Sequence, residues 1–346
     1  MKDFSNIKPN LLAYGGNAGN KKGFTNEKGE NWFLKFPQNT KYFAKVPISY
    51  TTSPISEYLG SKIYELLGYD VHKTELGIYN DKIVVACKDF IDDNKRLCDI
   101  ASITNNYLDE NEDIRQNLKS SSEEKYFVDL EELMYVFKLH KISDLKERFW
   151  DMFVVDAFIN NSDRHNGNWG VLVDLKNNEV KLAPIFDNGN SFFSKHDDNK
   201  LEKILQNETS FQSNVLRGKT PFKYLEHSVD AVKVIKNLTI GKEKNEFTDE
   251  ISENIKAAIK RVVPKINLKE INHLIDEIPT EYKGIKIMSD TMKNFYKKFL
   301  EQKYEKILLP SFNKVLDLEK KSNEQENKNQ ESKWKKEKTR DNDMEL

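Results

Sequence analysis

One stretch constrains this chain more than any other. In residues 145–160 (LKERFWDMFVVDAFIN), Phe149, Trp150, Phe153, Val154, Ala157 and Phe158 recur at the spacing of a helix with one apolar face. That segment runs into a polar octet, Asn161-Ser162-Asp163-Arg164-His165-Asn166-Gly167-Asn168. A hairpin is expected next, Trp169 to Val173 and Val180 to Phe186 around Asn177-Asn178, and it ends on Asp187 in APIFDNG. A loop leaving that helix can aim the Asp163 carboxylate and the Asn168 amide into one cleft, with the hairpin folding Asp187 back beside it.

These side chains suit phosphoryl transfer. That reaction asks the protein mainly for positioning and charge neutralisation. Mg²⁺ takes hard oxygen ligands and keeps waters, so the Asn168 amide oxygen and the Asp187 carboxylate suffice beside the phosphates. Asp163, five residues before Asn168, is placed to accept a proton from an arriving hydroxyl. The same spacing occurs in the general kinase template of a catalytic Asp, an Asn five on, and a later metal-binding Asp. The competing reading is an Asn/Asp-rich turn that caps its neighbours. His165 either orients Asp163 or meets a phosphate, or is a hydrogen-bonded structural histidine. The other histidines, 72, 140, 196, 227 and 273, form no pair at zinc-ligand spacing.

The N-terminal part supplies partners in the expected order. Gly15, Gly16 and Gly19 open a loop where backbone N–H groups can approach phosphates, although a hairpin turn explains them as well. Lys35 lies in a strand over Asn31–Phe36, in reach of α/β-phosphates or simply facing solvent. Ser53 is a candidate N-cap and Pro54 a first helical residue, with Leu59, Ile63, Leu66 and Leu67 as the apolar stripe and Gly68 as the stop. Glu57, in the first turn, either pairs with Lys35 or favours the helix dipole. Strands near 73–79 and 82–87 complete a small α+β lobe.

Three parts are expected: a β-rich lobe over 1–90, a larger helical lobe over 91–315, and a charged flexible tail over 316–346. Residues 111–125 read as a polar loop or solvated helix. Helices are expected over 246–263, 268–277 and 287–309, with Met292, Phe295, Tyr296, Phe299 and Leu300 facing the core and Pro310 after the last. From Glu319 onward eight basic and eight acidic residues leave little to bury. The polar stretch 188–225, with Ser191, Ser194, Thr209, Ser210, Ser213 and Thr220, reads either as a phosphorylation-switched loop or as ordinary surface.

Composition narrows the class. A formal net charge of −1 gives no case for a nucleic-acid partner. Two cysteines, Cys87 and Cys98, exclude a disulfide scaffold. The N-terminus shows no signal-peptide core and no run spans a membrane. The 48 lysines against seven arginines, and the 35 asparagines, read as genomic bias.

On Asn161–Asn168, the FDN triplet, and SEYLGSKIYELLG followed by a hairpin ending VVACKDF, the chain resembles the HipA-like serine/threonine kinases, relatives of the phosphatidylinositol 3/4-kinases. The resemblance covers roughly residues 11–190. It implies a two-lobed, protein-kinase-like α+β fold, Asp163 as base with His165 beside it, Asn168 and Asp187 on Mg²⁺, and Lys35 with Glu57 at ATP. The adenine is expected against Cys87, Lys88, Asp89 and Phe90. It further implies a monomeric bacterial enzyme, cytoplasmic or secreted without a signal peptide. ATP and a protein substrate, a host protein included, are the implied partners, with autophosphorylation. A lipid or small-molecule kinase and a non-catalytic binding partner are the alternatives. Three departures are read from the sequence: the family's additional N-terminal subdomain is not expected here, residues 14–23 hold no serine or threonine where the family's Gly-rich loop carries a serine, and the metal-site triplet reads FDN rather than the DFG of protein kinases.

Overall fold

The computed structural model describes residues 1–12, 14, 21–41, 46, 48–104, 128–139, 142, 144–240 and 247–344. Gly15, Gly16, Gly19 and the stretch 111–125 lie outside them.

Alternation builds the first layer. In β2 (Lys21–Thr25), β3 (Asn31–Lys35), β4 (Thr74–Tyr79) and β5 (Lys82–Lys88), successive side chains take opposite faces. With β1 (Lys2–Asp3) these strands form one sheet in the order β1-β4-β5-β3-β2, antiparallel except for β1 on β4. Trp32, Leu34, Val84 and Ala86 pack with Phe4 and Phe24 on one face. Phe33 and Lys35 take the other, opposite Cys87 and Val85.

Helix α1 (Ser53–Leu66) lies against β4 and β5 and buries Ile55, Leu59 and Ile63 completely. Thr52, not Ser53, is its N-cap, and neither hydroxyl caps it. Thr51 Oγ1 instead donates to Ser53 Oγ at 2.9 Å. Gly68, at φ +82°, ends the helix in a conformation that only glycine adopts freely.

The second part is mainly helical. Helix α2 (Leu130–Leu139) precedes α3 (Leu145–Ile159), the predicted apolar helix. One apolar face was expected of α3. Instead every residue from Phe149 to Ile159 is buried, because α3 runs through the centre of the larger core. Its two buried acids are paired: Asp151 with Arg261 and Tyr69, Asp156 with Arg164 and Tyr64. The hairpin is β7 (Gly170–Asp174) and β8 (Val180–Leu182), joined at its edge by β6 (Lys95–Asp99).

Residues 188–225 are not one loop of either expected kind. They contain α4 (Asp198–Gln206), α5 (Glu208–Val215) and the strand Lys219–Tyr224. Buried Leu201, Ile204, Phe211 and Val215 supply the apolar anchors that order them, and Ser191 and Ser194 are buried too.

Helices α6 (Ala231–Ile240), α7 (Asp249–Val262), α8 (Leu268–Asp276) and α9 (Asp290–Lys303) surround the core. Met292, Phe295, Tyr296, Phe299 and Leu300 are buried on α9 as expected. Pro310 does not end the helical run. A π-helical turn over Tyr304–Leu308 leads into α10 (Leu309–Met344), and the boundary expected at 316 falls inside α10. The wider turn gives room where the proline ring would otherwise meet the carbonyl four residues back. No helix of the described residues is long and apolar enough to cross a membrane.

Candidate active site

The hairpin's second strand ends at Leu182, not at Phe186 as expected, and residues 70–72 pair with the segment that leads on to Asp187. Ile185 N–H donates to Asp70 O at 2.8 Å and His72 N–H to Ile185 O at 3.1 Å. This short parallel bridge, Val71 on Ile185, carries Asp187 to α1 and β3. Asp187 has φ +60°, an uncommon conformation for a residue with a side chain and a frequent one at functional sites.

Lys35 reaches across. Its Nζ lies 3.0 Å from Glu57 Oε2 and 3.0 Å from Asp187 Oδ1. Burial alone draws the ammonium pKa down, but Asp187 and Glu57 outweigh it and hold the value above the ordinary lysine range. Burial likewise opposes the Glu57 carboxylate, yet Lys35 and His72 keep it well below the usual range. His72 Nε2 lies 2.9 Å from the other Glu57 oxygen, Oε1.

The polar octet is folded around Arg164. Its guanidinium is fully buried and makes five hydrogen bonds. Nε donates to Asp156 Oδ2 at 2.9 Å, Nη1 to Asn168 O at 3.0 Å and Phe186 O at 2.5 Å, and Nη2 to Asp156 Oδ1 at 3.3 Å and Asn188 Oδ1 at 2.5 Å. One planar side chain thus ties the end of α3, the loop and the Asp187 segment together. Asn188 continues the chain of bonds to Ser61 Oγ on α1 at 3.0 Å.

Asp163 Oδ2 accepts from Asn190 Nδ2 at 2.6 Å. Burial pushes its pKa up, while His165 and Asn190 hold it back. Asn168 Nδ2 donates to Asp163 O at 2.7 Å. Only the NH₂ group can bond a carbonyl, so Oδ1 is left for a ligand. His165 Nδ1 accepts from Gly167 N–H at 3.1 Å and caps the 3₁₀ turn Asn166–Asn168.

At the expected adenine edge, the N–H groups of Lys88 and Asp89 are taken by Lys73 O and Asn31 O. The Lys88 side chain pairs with Glu30 at 2.6 Å, and Phe90 packs against Phe186 with centroids 5.6 Å apart. Cys87 is fully buried beneath Lys35, and burial pushes its thiol pKa up.

Sequence reasoning missed Arg164, Asp156, His72, Asn188 and Asn190. A signal for the first existed. Arg164 is one of seven arginines in a chain with 48 lysines, which suggests a place where a planar five-donor fork is needed.

Fold and sequence place the chain. It matches the HipA-like C-terminal domain over residues 8–264, and it belongs to that family. Among relatives, it is 31% identical to serine/threonine-protein kinase CtkA of Helicobacter pylori strain J99 over 309 residues, 86% of each chain. A crystal structure of a Helicobacter pylori proinflammatory kinase, CtkA, matches with a TM-score of 0.76 at 30% identity, covering 91% of this chain and 98% of that one. HipA from a Shewanella oneidensis MR-1 toxin–antitoxin complex with HipB and operator DNA matches at TM-score 0.54 and 13% identity, over 90% of this chain and 68% of that one, a likeness of fold. The expected kinase-like α+β class is therefore the observed one.

Proposed function

We propose that this protein is an ATP- and Mg²⁺-dependent kinase that transfers the γ-phosphoryl group to serine or threonine hydroxyls of proteins, its own chain included. The observation that carries this reading is the Lys35 ammonium 3.0 Å from both Glu57 and Asp187, at the mouth of the Arg164-braced loop. The description of the Helicobacter pylori relative as a serine/threonine-protein kinase favours a protein hydroxyl over a lipid. A host protein is the acceptor that the relative's proinflammatory description suggests.

The donor set fits the metal. Asn168 Oδ1 is left for a ligand, and Asp187 has one oxygen on Lys35 with its side chain 36% exposed. These are hard oxygen donors, suited to Mg²⁺, which neutralises phosphate charge when bound there. Lys35, fixed by Glu57, is placed to hold the nucleotide phosphates. Asp163 takes the hydroxyl proton of the acceptor at Oδ1, because Oδ2 is engaged by Asn190. The new oxygen–phosphorus bond forms as the bond to ADP breaks. A carboxylate held above its ordinary pKa is a stronger base, so transfer should rise with pH as Asp163 ionises.

The test is transfer of labelled phosphate from ATP to protein and lipid panels, with autophosphorylation read in parallel. Asp163→Asn should lower transfer by about 10²–10⁴-fold while leaving nucleotide binding nearly unchanged. Wild-type transfer by this variant would overturn the assignment.

A further inference from the structure

Next to Asp163 lies a concavity of about 330 Å³. Asn190 lines it and also donates to Asp163 Oδ2 at 2.6 Å, so the cavity adjoins the place where an acceptor hydroxyl must arrive. Buried Phe192 and Phe193 form its base, and Lys195, Arg217 and Lys219 stand exposed around it. Among the described residues, no carboxylate lines it. Lys195 acts on the Asp163 carboxylate, which leaves Arg217 and Lys219 as the cations of the hollow that an arriving anion meets.

The hollow is built rather than incidental. Arg217 has its backbone fixed: its carbonyl accepts from buried Lys303 Nζ at 2.9 Å and its N–H donates to Asn214 O at 3.3 Å. No ion pair among the described residues holds its guanidinium or the Lys219 ammonium. The nearby Asp230 carboxylate already accepts from the N–H groups of Gly218 and Lys233. His196, also in the lining, has a buried Nδ1 with no hydrogen-bond partner. A fixed arginine backbone with a free planar fork, beside an unsatisfied ring nitrogen, suits an oxyanion.

We propose that this cavity seats an anionic side chain of the protein substrate, a carboxylate or a phosphate group, and thereby sets sequence preference. One extended residue spans about 3.5 Å, so the anchor lies about one to three residues from the phosphoacceptor. The assignment rests on the kinase reading of the neighbouring site, but its docking half can be read without catalysis.

The experiment uses the full chain and serine-centred peptide pools with Asp, phosphoserine, Ala or Lys fixed at each flanking position. Phosphate transfer and fluorescence-anisotropy binding are both measured. The wild type should favour Asp or phosphoserine over Ala at one or two positions by about fivefold to tenfold, the scale of one or two charge-assisted hydrogen bonds. The Asp and phosphoserine arms tell the two anion sources apart. R217E/K219E should abolish that preference in both readouts while phosphorylating the Ala pool at the wild-type rate, and an unchanged melting temperature shows that it is folded. Phosphorylation without anion preference, or a preference that survives R217E/K219E, overturns the inference and leaves the kinase reading standing. Anion-selective binding lost in R217E/K219E, with no transfer to any pool, supports the cavity and overturns the kinase reading.

Discussion

Arg164 shows what one side chain decides. The guanidinium is buried with each N–H satisfied, and Asp156, Asn168, Phe186 and Asn188 are its acceptors. Removing it leaves Asp156 buried without its cation. Breaking a buried pair from one side typically costs about 3–5 kcal/mol, so Arg164→Ala should lower the urea midpoint sharply. Arg164→Lys keeps the charge but has three donors on a flexible stem, and it should recover only part of the loss. Equal midpoints for Arg164→Lys and wild type would show that the fork geometry is unimportant. At this scale the sequence was informative about chemistry and silent about scaffolding. The pairing of Lys35 with Glu57 was one of two readings of the sequence, and the structure brings the two within 3.0 Å; the roles proposed for Asp163, Asn168 and Asp187 rest on the donor types that phosphoryl transfer needs. His72, Asn188 and Asn190 were not legible, because their partners are distant in the chain: Asn188 meets Ser61 across 127 residues.

The elements were legible where periodicity is strong. The spacing placed α1, α3 and three strands of the first sheet, β3, β4 and β5, to within a residue or two, since burial of one face imposes a period of 3.6 or 2. The sequence misled where tertiary packing overrides local signals. A proline normally stops a helix, yet the π turn over 304–308 carries the run past Pro310. Polarity over 188–225 suggested a loop, but four apolar anchors fold it into helices. Element contacts also make a prediction. A Cβ added at Gly60 on α1 would lie 2.8 Å from Asn188 Cβ, beside Asp187. Gly60→Ala gains about 1 kcal/mol of helix propensity, against about 1–3 kcal/mol of overpacking. The balance runs from about neutral to about 2 kcal/mol destabilising, and the strain pushes on the Asp187 segment. Transfer should therefore fall severalfold while the protein still unfolds in one cooperative transition a few degrees lower at most. Full activity in this variant would mean that α1 and that segment are not tightly packed.

The whole molecule decides the protonation of Lys303. Its side chain, buried under α3, donates to Ala157 O at 2.6 Å and Arg217 O at 2.9 Å, which a neutral amine can do with its two N–H bonds. Burial lowers its pKa from 10.5 to about 7, with Asp230 opposing. Between those values the unfolded chain binds a proton that the folded chain does not. The destabilising effect is therefore full below about 7 and is relieved as pH rises toward 10.5. Lys303→Met removes the group, so wild-type stability relative to this variant should climb across that window. Parallel stability curves from urea unfolding at a series of pH values would contradict it.

The sequence by itself determined an α+β order of elements and, through its resemblance to the HipA-like kinases, the class of fold. The elements rest on a local rule, the apolar period, and residue type sets which atoms can ligate, accept a proton or pair with phosphate. Tertiary structure alone decided how those groups are held. Val71 on Ile185, Lys35 between Glu57 and Asp187, and Arg164 binding two segments are long-range events. They depend on which surfaces meet once the core closes, and no local spacing encodes that. The basic hollow beside Asp163 belongs to the same category, since Lys195, Arg217 and Lys219 become neighbours only after α4 and α5 fold back against α9.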